Sequence, residues 1–447
     1  MKTVSAALCI AWLLFQGLEA AAAAEVTSAQ ASKYTKQLEN LVKGKRAIAL
    51  EELIGELAKL DHPKVVGLIP VAATALPSAR NHLAGVKALQ GLQNEACLKE
   101  LRSILKKPKG DYRQLVVIIE AFGKRTEPET LDAILEQFKS KVPQVQVAAV
   151  HACRDRKSRS VLPPLMEVLE TNWKARDRLF LEVRLALVAL TGQDFETLDD
   201  WKKYIESLPA DFDPAKLGKE TGKTAVALKK TNESVEFFGG EIFSRNLVFV
   251  IDVSGSMCMY DDDPSFTGKD VEKERQRLQR ARDQLTGALK KLPRAARFNI
   301  ITFSNKVLPW RKQMQPADPA NVASAIKFVT DFKAIGATHT DEALDLAFQD
   351  ITVDTIVLLS DGSPMKTSLD EWKTLIPKIE EKVKDTNASR RVRIDTFGFE
   401  GQGQWPSKGS PFVGKPPPAP TPEETKSFVE FLKKLAEDSG GTYRPIN

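Results

Sequence analysis

The chain is poor in cysteine and histidine, with four of each among its 447 residues. Disulfide-rich scaffolds need several cysteine pairs, and thiolate or imidazole metal sites need these residues at close spacing. Cys97 and Cys153 lie on apolar faces of predicted helices, which indicates core residues. Cys258 has no histidine or second cysteine at ligand spacing, so we expect an ordinary loop residue. The sequence therefore excludes a disulfide scaffold and gives no support to a soft-metal site.

The chain also lacks blocks of one charge and long apolar runs in its interior. Its 65 basic and 59 acidic residues leave a net charge of +6, and no basic block alternates with aromatic residues, so we expect no nucleic-acid binding. The apolar run Val65–Leu76 is short and contains Pro70, which predicts no transmembrane segment in the mature chain. The composition is that of a soluble globular protein, and the length predicts two domains or more.

The first residues have the composition of a secretory signal. Lys2 is basic, Ala6–Phe15 is a short apolar segment, and Ala20–Ala24 offers small-residue cleavage positions. The apolar segment is too short to span a bilayer comfortably, and the small residues after it favour cleavage over an uncleaved anchor. We therefore predict a signal peptide over residues 1–24 and an exported protein that is periplasmic, on the cell surface or extracellular.

Residues 27–208 have the periodicity of successive helices, with apolar positions at helical spacing and few β-branched runs. Similar apolar segments containing a small residue recur here at intervals of about 31 to 37 residues. They are Ala84–Leu92, Leu115–Gly123, Val145–Arg154 and Val183–Gly192. The region looks like an irregular HEAT-like α-helical repeat domain, an all-α solenoid in which stacked helix pairs bury one another's apolar faces. A non-repeating helical bundle is the alternative.

The sequence pattern changes after the helical region. Residues 209–240 are polar and basic and are predicted to form a linker. Over residues 241–447, apolar strand-like segments alternate with amphipathic helical segments. The predicted strands are Leu247–Asp252, Phe298–Phe303, Thr355–Ser360, Val392–Phe397 and Thr442–Arg444. This alternation predicts an α/β domain with a doubly wound, Rossmann-like and largely parallel sheet, so the chain is predicted to be multidomain.

Two short polar motifs follow apolar strands of this predicted sheet, and a third polar residue lies in a turn between them. Their side chains are Asp252, Ser254, Ser256, Thr338 and Asp361. In open α/β sheets, ligands bind outside the carboxyl ends of the strands, which is where both motifs are expected. All five side chains offer hard oxygen atoms, which suit Mg²⁺ or a similar hard cation. The pattern therefore predicts a divalent-cation site at this edge.

The order Asp-x-Ser-x-Ser, then Thr, then Asp resembles the metal-ion-dependent adhesion site of von Willebrand factor type A domains. Each of the three pieces sits in the strand and loop context that this family shows, which makes the combination more specific than the first motif alone. The resemblance covers the predicted α/β domain, residues 241–447. It implies the same doubly wound fold that the alternation of strands and helices predicts.

The resemblance also implies a function for each site residue. In the family, the hydroxyls at the positions of Ser254, Ser256 and Thr338 bind the ion directly or through water, and the carboxylates at Asp252 and Asp361 often act through water. The ion is Mg²⁺, or another hard divalent cation such as Mn²⁺ or Ca²⁺. An open coordination position then takes an Asp or Glu side chain of a protein partner, because the neutral hydroxyls leave the cation short of negative charge.

Two alternatives compete with this binding function. In a structural or assembly factor, the ion only stabilises the fold. In a metal-assisted hydrolase, a general base would accompany the ion-binding loops; the sequence shows no such base, no nucleophile elbow, no H-E-x-x-H motif and no Cys/His pair. We therefore expect a non-enzymatic protein. We interpret Asp261–Asp263, in the long loop after Ser256, as a solvated acidic turn, with a second cation site as the alternative.

Overall fold

The computed structural model describes residues 26–108, 110–217, 235–261, 275–368, 370–400, 403–406 and 420–446. The predicted signal peptide, residues 218–234 of the predicted linker, and Asp262 and Asp263 lie outside the described residues. The chain divides into two compact units, Met1–Ser140 and Lys141–Asn447. None of the helices in the described part of the chain combines the length and apolar character that a membrane span requires.

The first unit is built from helices that begin at residues suited to helix starts. Its helices, before a short 3₁₀ segment at Glu136–Lys139, are α1 (Ser28–Lys43), α2 (Ala47–Leu60), α3 (Pro63–Val66), α4 (Leu68–Thr74), α5 (Ala79–Gln90), α6 (Glu95–Lys106), α7 (Tyr112–Gly123) and α8 (Pro128–Leu135). The side chains of Asn94 and Asp111 accept main-chain hydrogen bonds at the starts of α6 and α7. Helix α5 packs against both α2 and α7, so the apolar core of this unit lies between these three helices.

Four more helices open the second unit. They are α9 (Pro143–Arg156), α10 (Leu162–Asn172), α11 (Arg178–Thr191) and α12 (Leu198–Ser207), with short 3₁₀ segments at Arg159–Val161 and Pro214–Lys216. The four recurring segments of the sequence fall in α5, α7, α9 and α11, so the helical character of the region is confirmed. The more specific assignment to HEAT-like repeats stays a prediction.

The rest of the second unit carries the predicted sheet. Its strands are β1 (Glu236–Phe237), β2 (Gly240–Glu241), β3 (Asn246–Asp252), β4 (Arg297–Phe303), β5 (Val307–Pro309), β6 (Gln315–Pro316), β7 (Thr355–Ser360), β8 (Arg393–Phe399) and β9 (Tyr443–Ile446). Among the described residues, the main sheet has the order β5-β4-β3-β7-β8-β9, with β6 also beside β4. β4, β3, β7, β8 and β9 are parallel, whereas β5 and β6 run antiparallel to β4. The predicted doubly wound sheet is confirmed; β5 and β6 are too short to show a strand pattern.

Helices cover both faces of this sheet. They are α13 (Arg277–Lys290), α14 (Pro319–Thr330), α15 (Thr340–Ala347), α16 (Trp372–Asn387) and α17 (Pro422–Asp438). Successive side chains of a strand point to opposite faces, so Phe249 packs in one apolar cluster with α13 and α14, and Val250 in another with α15, α16 and α17. Strands buried on both faces need the continuous apolar sequences that β3 and β7 have.

The amino end of the sheet is closed by helices α9 and α11. Gln144 Nε2 donates a hydrogen bond to the Val353 carbonyl at 2.9 Å, and the Arg178 guanidinium donates to the Asp354 carbonyl. These buried polar contacts, 209 and 176 residues apart in the chain, place α9 and α11 in the same compact unit as the sheet. The compact units divide after Ser140, and the predicted domain bounds, 27–208 and 241–447, stay a prediction.

Candidate functional site

Asp252 ends β3 at the carboxyl edge of the sheet and is fully buried. β3 pairs in parallel with β7 so that Ile251 lies opposite Leu359, which brings the last residue of β7, Ser360, beside Asp252. Ser360 Oγ donates to Asp252 Oδ2 at 2.5 Å, and the Ser254 main-chain N–H donates to Asp252 Oδ1 at 2.7 Å. Strand pairing therefore joins the two predicted motifs at one edge, as the sequence indicates.

Two serine hydroxyls and the second aspartate form a connected cluster at this edge. A short 3₁₀ segment, Gly255–Cys258, turns the chain directly after Ser254. The Ser254 and Ser256 Oγ atoms lie 3.1 Å apart, and Ser256 Oγ donates to Asp361 Oδ1 at 2.7 Å. Residues separated by 105 positions in the chain thus meet through direct side-chain contacts.

Main-chain hydrogen bonds connect the loop of Thr338 to both polar motifs. The Gly255 N–H donates to the Gly336 carbonyl at 2.9 Å, which ties the threonine loop to the serine loop. Thr338 and Met365 exchange main-chain hydrogen bonds of 2.9 and 3.0 Å, which ties the same loop to the segment after Asp361. The Thr338 side chain is buried. Gly336 has a φ of +87°, and a Cβ atom there would lie 2.6 Å from the Asn305 side chain, so this turn requires glycine.

A buried ion-pair network, which the sequence did not reveal, adjoins the site. Arg277, the first residue of α13, donates from Nη1 to Asp361 Oδ2 at 3.0 Å and from Nε to Asp261 Oδ1 at 2.7 Å. Arg280 also pairs with Asp261. The side chains of Arg277 and Asp261 are 3% and 4% exposed. The expectation of a solvated acidic turn is therefore wrong for Asp261, because two arginines neutralise it inside the protein.

The two site carboxylates interact unfavourably as they stand. Burial and then the charge of Asp361 raise the pKa of Asp252. Burial also raises the pKa of Asp361, while the adjacent Arg277 guanidinium opposes that rise. Two carboxylates that are close together and shielded from water disfavour each other's ionised form, and a bound cation reverses this effect. The site therefore has an excess of negative potential that suits a cation.

Unpartnered hydroxyls near Thr338 fit the same interpretation. Thr340 Oγ1 and Ser363 Oγ are buried and have no hydrogen-bond partner among the described residues. They lie two residues beyond Thr338 and two residues before Met365, the pair that joins the two loops. Buried polar atoms normally have a partner, which water supplies when protein does not. Such atoms are the expected surroundings of a hydrated hard cation, which tends to keep some of its waters.

The donor chemistry of this edge fits a hard divalent cation. In the described residues, no group of three or more His, Cys, Asp or Glu side chains is placed to hold a metal. The predicted set has a different composition, with three hydroxyl groups and two carboxylates, and hard cations prefer such oxygen donors. Asp252, Ser254, Ser256 and Asp361 are joined by side-chain contacts or strand pairing, and Thr338 by its loop.

The three cysteines among the described residues are all buried and free. Cys97 and Cys153 are fully buried, which confirms that they are core residues. Burial raises the pKa of each thiol to about 12. Cys258 is also buried, and burial followed by the charge of Asp361 raises its pKa to about 11. Since the thiolate is the reactive form, burial and the raised pKa both lower the reactivity of Cys258.

Solved structures resemble this chain at low identity. A von Willebrand factor type A protein from Catenulispora acidiphila is 19% identical with a TM-score of 0.31, covering 46% of this chain and 40% of that chain. The conserved hypothetical protein BatB from Bacteroides thetaiotaomicron is 15% identical with a TM-score of 0.32, covering 45% of this chain and 90% of that chain. Scores this low support no conclusion about fold or function.

Curated relatives include heavy chains of inter-alpha-trypsin inhibitor. Heavy chain H4 of Homo sapiens is 33% identical over 215 residues, which cover 45% of this chain and 18% of that protein. Heavy chain H3 of Bos taurus is 32% identical over 113 residues, which cover 25% of this chain and 11% of that protein. The chain thus spans less than a fifth of the length of these relatives.

Family models place the domain in the second unit. The model described as von Willebrand factor type A domain matches residues 247–363, a range that contains β3, β7 and all five predicted site residues. A second model with the same description matches residues 59–167, where the described residues form helices without a strand. The α/β fold therefore supports the match at 247–363. Residues 247–363 therefore lie in a von Willebrand factor type A domain, and a helical region precedes this domain in the chain.

Proposed function

We propose that this chain is a non-enzymatic binding protein that captures an acidic side chain of a protein partner through a divalent cation. Mg²⁺ is the first candidate, with Mn²⁺ or Ca²⁺ as alternatives. The residues that would hold the ion are Asp252, Ser254, Ser256, Thr338 and Asp361. The observation that carries the proposal is the cluster in which Ser254, Ser256 and Asp361 are linked by contacts of 3.1 and 2.7 Å beside buried Asp252.

The charge of the donor set favours an acidic ligand. Hydroxyl groups are neutral, so Ser254, Ser256 and Thr338 do not reduce the charge of a bound cation. The ion would supply a positive centre that accepts a carboxylate oxygen in place of water. The charged oxygen would form a short, strong contact because the surrounding side chains exclude most water. Asp252 Oδ1 and Oδ2 are held by Ser254 and Ser360, so this carboxylate is already oriented.

Access to the site runs past Ser256. Asp252, Ser254, Thr338 and Asp361 are 0%, 1%, 5% and 8% exposed, whereas Ser256 is half-buried. A partner's carboxylate would therefore approach from the Ser256 side. The same burial favours a second candidate function, in which the ion only stabilises the fold of a structural or assembly factor.

The comparisons support a binding protein outside the cell. The matched family is the von Willebrand factor type A domain, and the matched heavy chains belong to inter-alpha-trypsin inhibitor. Together with the predicted signal peptide over residues 1–24, this favours an exported protein in the periplasm, on the cell surface or in the extracellular space.

The proposed capture is tested with a displayed library of random peptides. The immobilised chain selects peptides in parallel arms with Mg²⁺ or with EDTA, and bound peptides are eluted with EDTA. We expect Mg²⁺-dependent peptides that share an Asp or Glu, and that lose binding when this residue is changed to Asn or Gln. Asp252→Ala abolishes their capture, whereas Asp283→Ala, at an exposed position of α13, leaves it unchanged.

Two outcomes contradict this proposal in different ways. Peptides that bind equally in EDTA, or without an acidic residue, would show that capture does not use a cation. A Mg²⁺-dependent rise in melting temperature without any Mg²⁺-dependent capture would favour the structural function of the ion instead.

A further inference from the structure

A buried guanidinium group faces the candidate cation site. Arg277 Nη1 donates to Asp361 Oδ2 at 3.0 Å, while the other oxygen of the same carboxylate accepts from Ser256 Oγ at 2.7 Å. Arg277 Nε donates to Asp261 Oδ1 at 2.7 Å. Asp361 therefore lies between a hydroxyl of the site and a fixed positive charge.

The surroundings hold this guanidinium in place. Its central carbon lies 5.4 Å from the centroid of the Phe399 ring, a cation–π contact. A Cβ atom on Gly403 would lie 3.0 Å from Arg277 Nη2, so main chain covers the group on another side. Asp261 is fixed in turn by its pairing with Arg280. With 3% of its side chain exposed, Arg277 has no open route to solvent.

Among the residues that the structure describes, two arginines offset part of the negative charge at this place. Asp252, Asp261 and Asp361 contribute three negative charges, and Arg277 and Arg280 contribute two positive charges, which leaves one negative charge. Arginine side chains keep their charge in proteins. In a buried setting the repulsion between this charge and a divalent cation is only weakly screened.

We propose that Arg277 is a built-in counter-cation of the site. It positions Asp361 toward Ser256 when no ion is bound, and it lowers the affinity of the site for divalent cations. This inference rests on the proposed function, because it requires a site that binds a cation. The consequence is a site that stays assembled without the ion and releases the ion readily.

The effect of the Arg277 charge is tested by titrating the full chain with Mn²⁺ and measuring the affinity by isothermal titration calorimetry. Arg277→Gln binds Mn²⁺ at least about tenfold more tightly than the wild type, because one buried positive charge is lost. Lys290→Gln is the control: it removes a positive charge at an exposed position at the other end of the same helix, and its affinity changes less than about threefold. Arg277→Lys, which keeps the charge, binds Mn²⁺ with nearly wild-type affinity.

A second variant shifts the affinity in the opposite direction. Asp261 and Asp361 both pair with Arg277. Asp261→Asn removes one of these two negative charges, so Mn²⁺ binding weakens about tenfold. This variant and Arg277→Lys carry the test if circular dichroism shows that Arg277→Gln does not fold.

The outcomes separate this inference from the proposed function. If the wild type binds one Mn²⁺ but Arg277→Gln binds it with equal or lower affinity, Arg277 has only a structural role and the inference is overturned. The same holds if Asp261→Asn binds Mn²⁺ more tightly. If neither the wild type nor any folded variant binds Mn²⁺, the proposed cation site itself is wrong, and the inference falls with it.

Discussion

The two ends of the central sheet both contain buried aspartates, but their surroundings differ. At the amino end, Asp354 accepts hydrogen bonds from Ser244 Oγ, Thr355 Oγ1 and the Asn246 N–H at 2.6, 2.7 and 3.1 Å. Arg178 adds a nearby positive charge that lowers the pKa of Asp354, although burial raises it more. Hydrogen-bond donors therefore surround the Asp354 carboxylate. Helices α9 and α11 contact the same end of the sheet.

At the carboxyl end, two buried carboxylates face each other's charge. Asp252 has two hydrogen-bond donors, but Asp361 raises its pKa in addition to the effect of burial. Burial raises the pKa of both aspartates, but a nearby positive charge opposes the rise at Asp354, whereas a second carboxylate adds to it at Asp252. A second buried carboxylate at the end where α/β sheets bind ligands is consistent with the proposed cation site.

The largest expected effect is the loss of unfolding free energy caused by a substitution at the amino end of the sheet. Asp354→Asn places an amide N–H against the donors Ser244, Thr355 and Asn246, so we expect the free energy of unfolding to fall by about 3 kcal/mol. Denaturant unfolding monitored by circular dichroism measures this change.

The matched substitution at the other end has a smaller cost. Asp252→Asn keeps its bond to the Ser254 N–H, donates to Ser360 Oγ and removes the repulsion from Asp361. In EDTA we expect a change within about 1 kcal/mol of the wild type. Equal losses in the two variants would mean that both aspartates are simply structural.

The second effect concerns the cation itself. At a Mg²⁺ concentration of about 100 times Kd, the wild type should gain about 2.7 kcal/mol of unfolding free energy. Asp252→Asn should gain nothing at the same concentration, whereas Asp354→Asn should gain as much as the wild type from its own lower baseline. Thermal melts with and without EDTA provide the measurement, and Mg²⁺ stabilisation of Asp252→Asn would place the ion elsewhere.

The third effect is the pH dependence of stability without the ion. The pKa of Asp252 is raised above its ordinary value of 3.8, so the folded state binds a proton more tightly than the unfolded state. The resulting stability is complete below about pH 3.8 and is lost as the pH rises through the raised pKa, by about 1.4 kcal/mol for each pH unit that separates the folded and unfolded pKa values. In EDTA, Asp252→Asn should lose this component, and Mg²⁺ should stabilise the wild type more at about pH 8 than at about pH 5. A Mg²⁺ effect that is larger at low pH would contradict the assignment.

The smallest effect tests the helical closure of the amino end. Gln144→Leu leaves the buried Val353 carbonyl without its hydrogen bond, which we expect to cost about 1 kcal/mol. The affinity for Mn²⁺ should not change, because the substitution lies at the end of the sheet opposite the site. A change in Mn²⁺ affinity would show that the two ends are energetically coupled.

The sequence was sufficient to predict the five parallel strands of the main sheet and to place the two polar motifs at the same edge. Continuous apolar runs identify β3 and β7, and parallel pairing brings Asp252 beside Ser360 and the loop of Asp361. The sequence also predicted that Thr338 lies with the two polar motifs. Main-chain hydrogen bonds connect its loop to the loop of Ser254 and to the segment after Asp361, in agreement with that prediction. Local patterns determine these features, which is why one sequence predicts them.

Long-range polar contacts were not predictable in the same way. Arg277 and Arg280 have the spacing of an ordinary solvated helix face, and nothing in the chain order shows that they enclose Asp261. Similarly, the sequence placed α9 and α11 with the preceding helices because they share their periodicity. The buried contacts of Gln144 and Arg178 with the sheet depend on tertiary packing and become visible only in the structure.

The most direct test of the cation site is an anomalous difference map. A crystal of the chain soaked in MnCl₂ and measured at the manganese absorption edge should show one strong peak within coordination distance of the Ser254 and Ser256 hydroxyls. The same experiment on Asp252→Asn should show no peak there. A wild-type map without density at this position, while Mn²⁺ binds elsewhere in the crystal, would contradict the account.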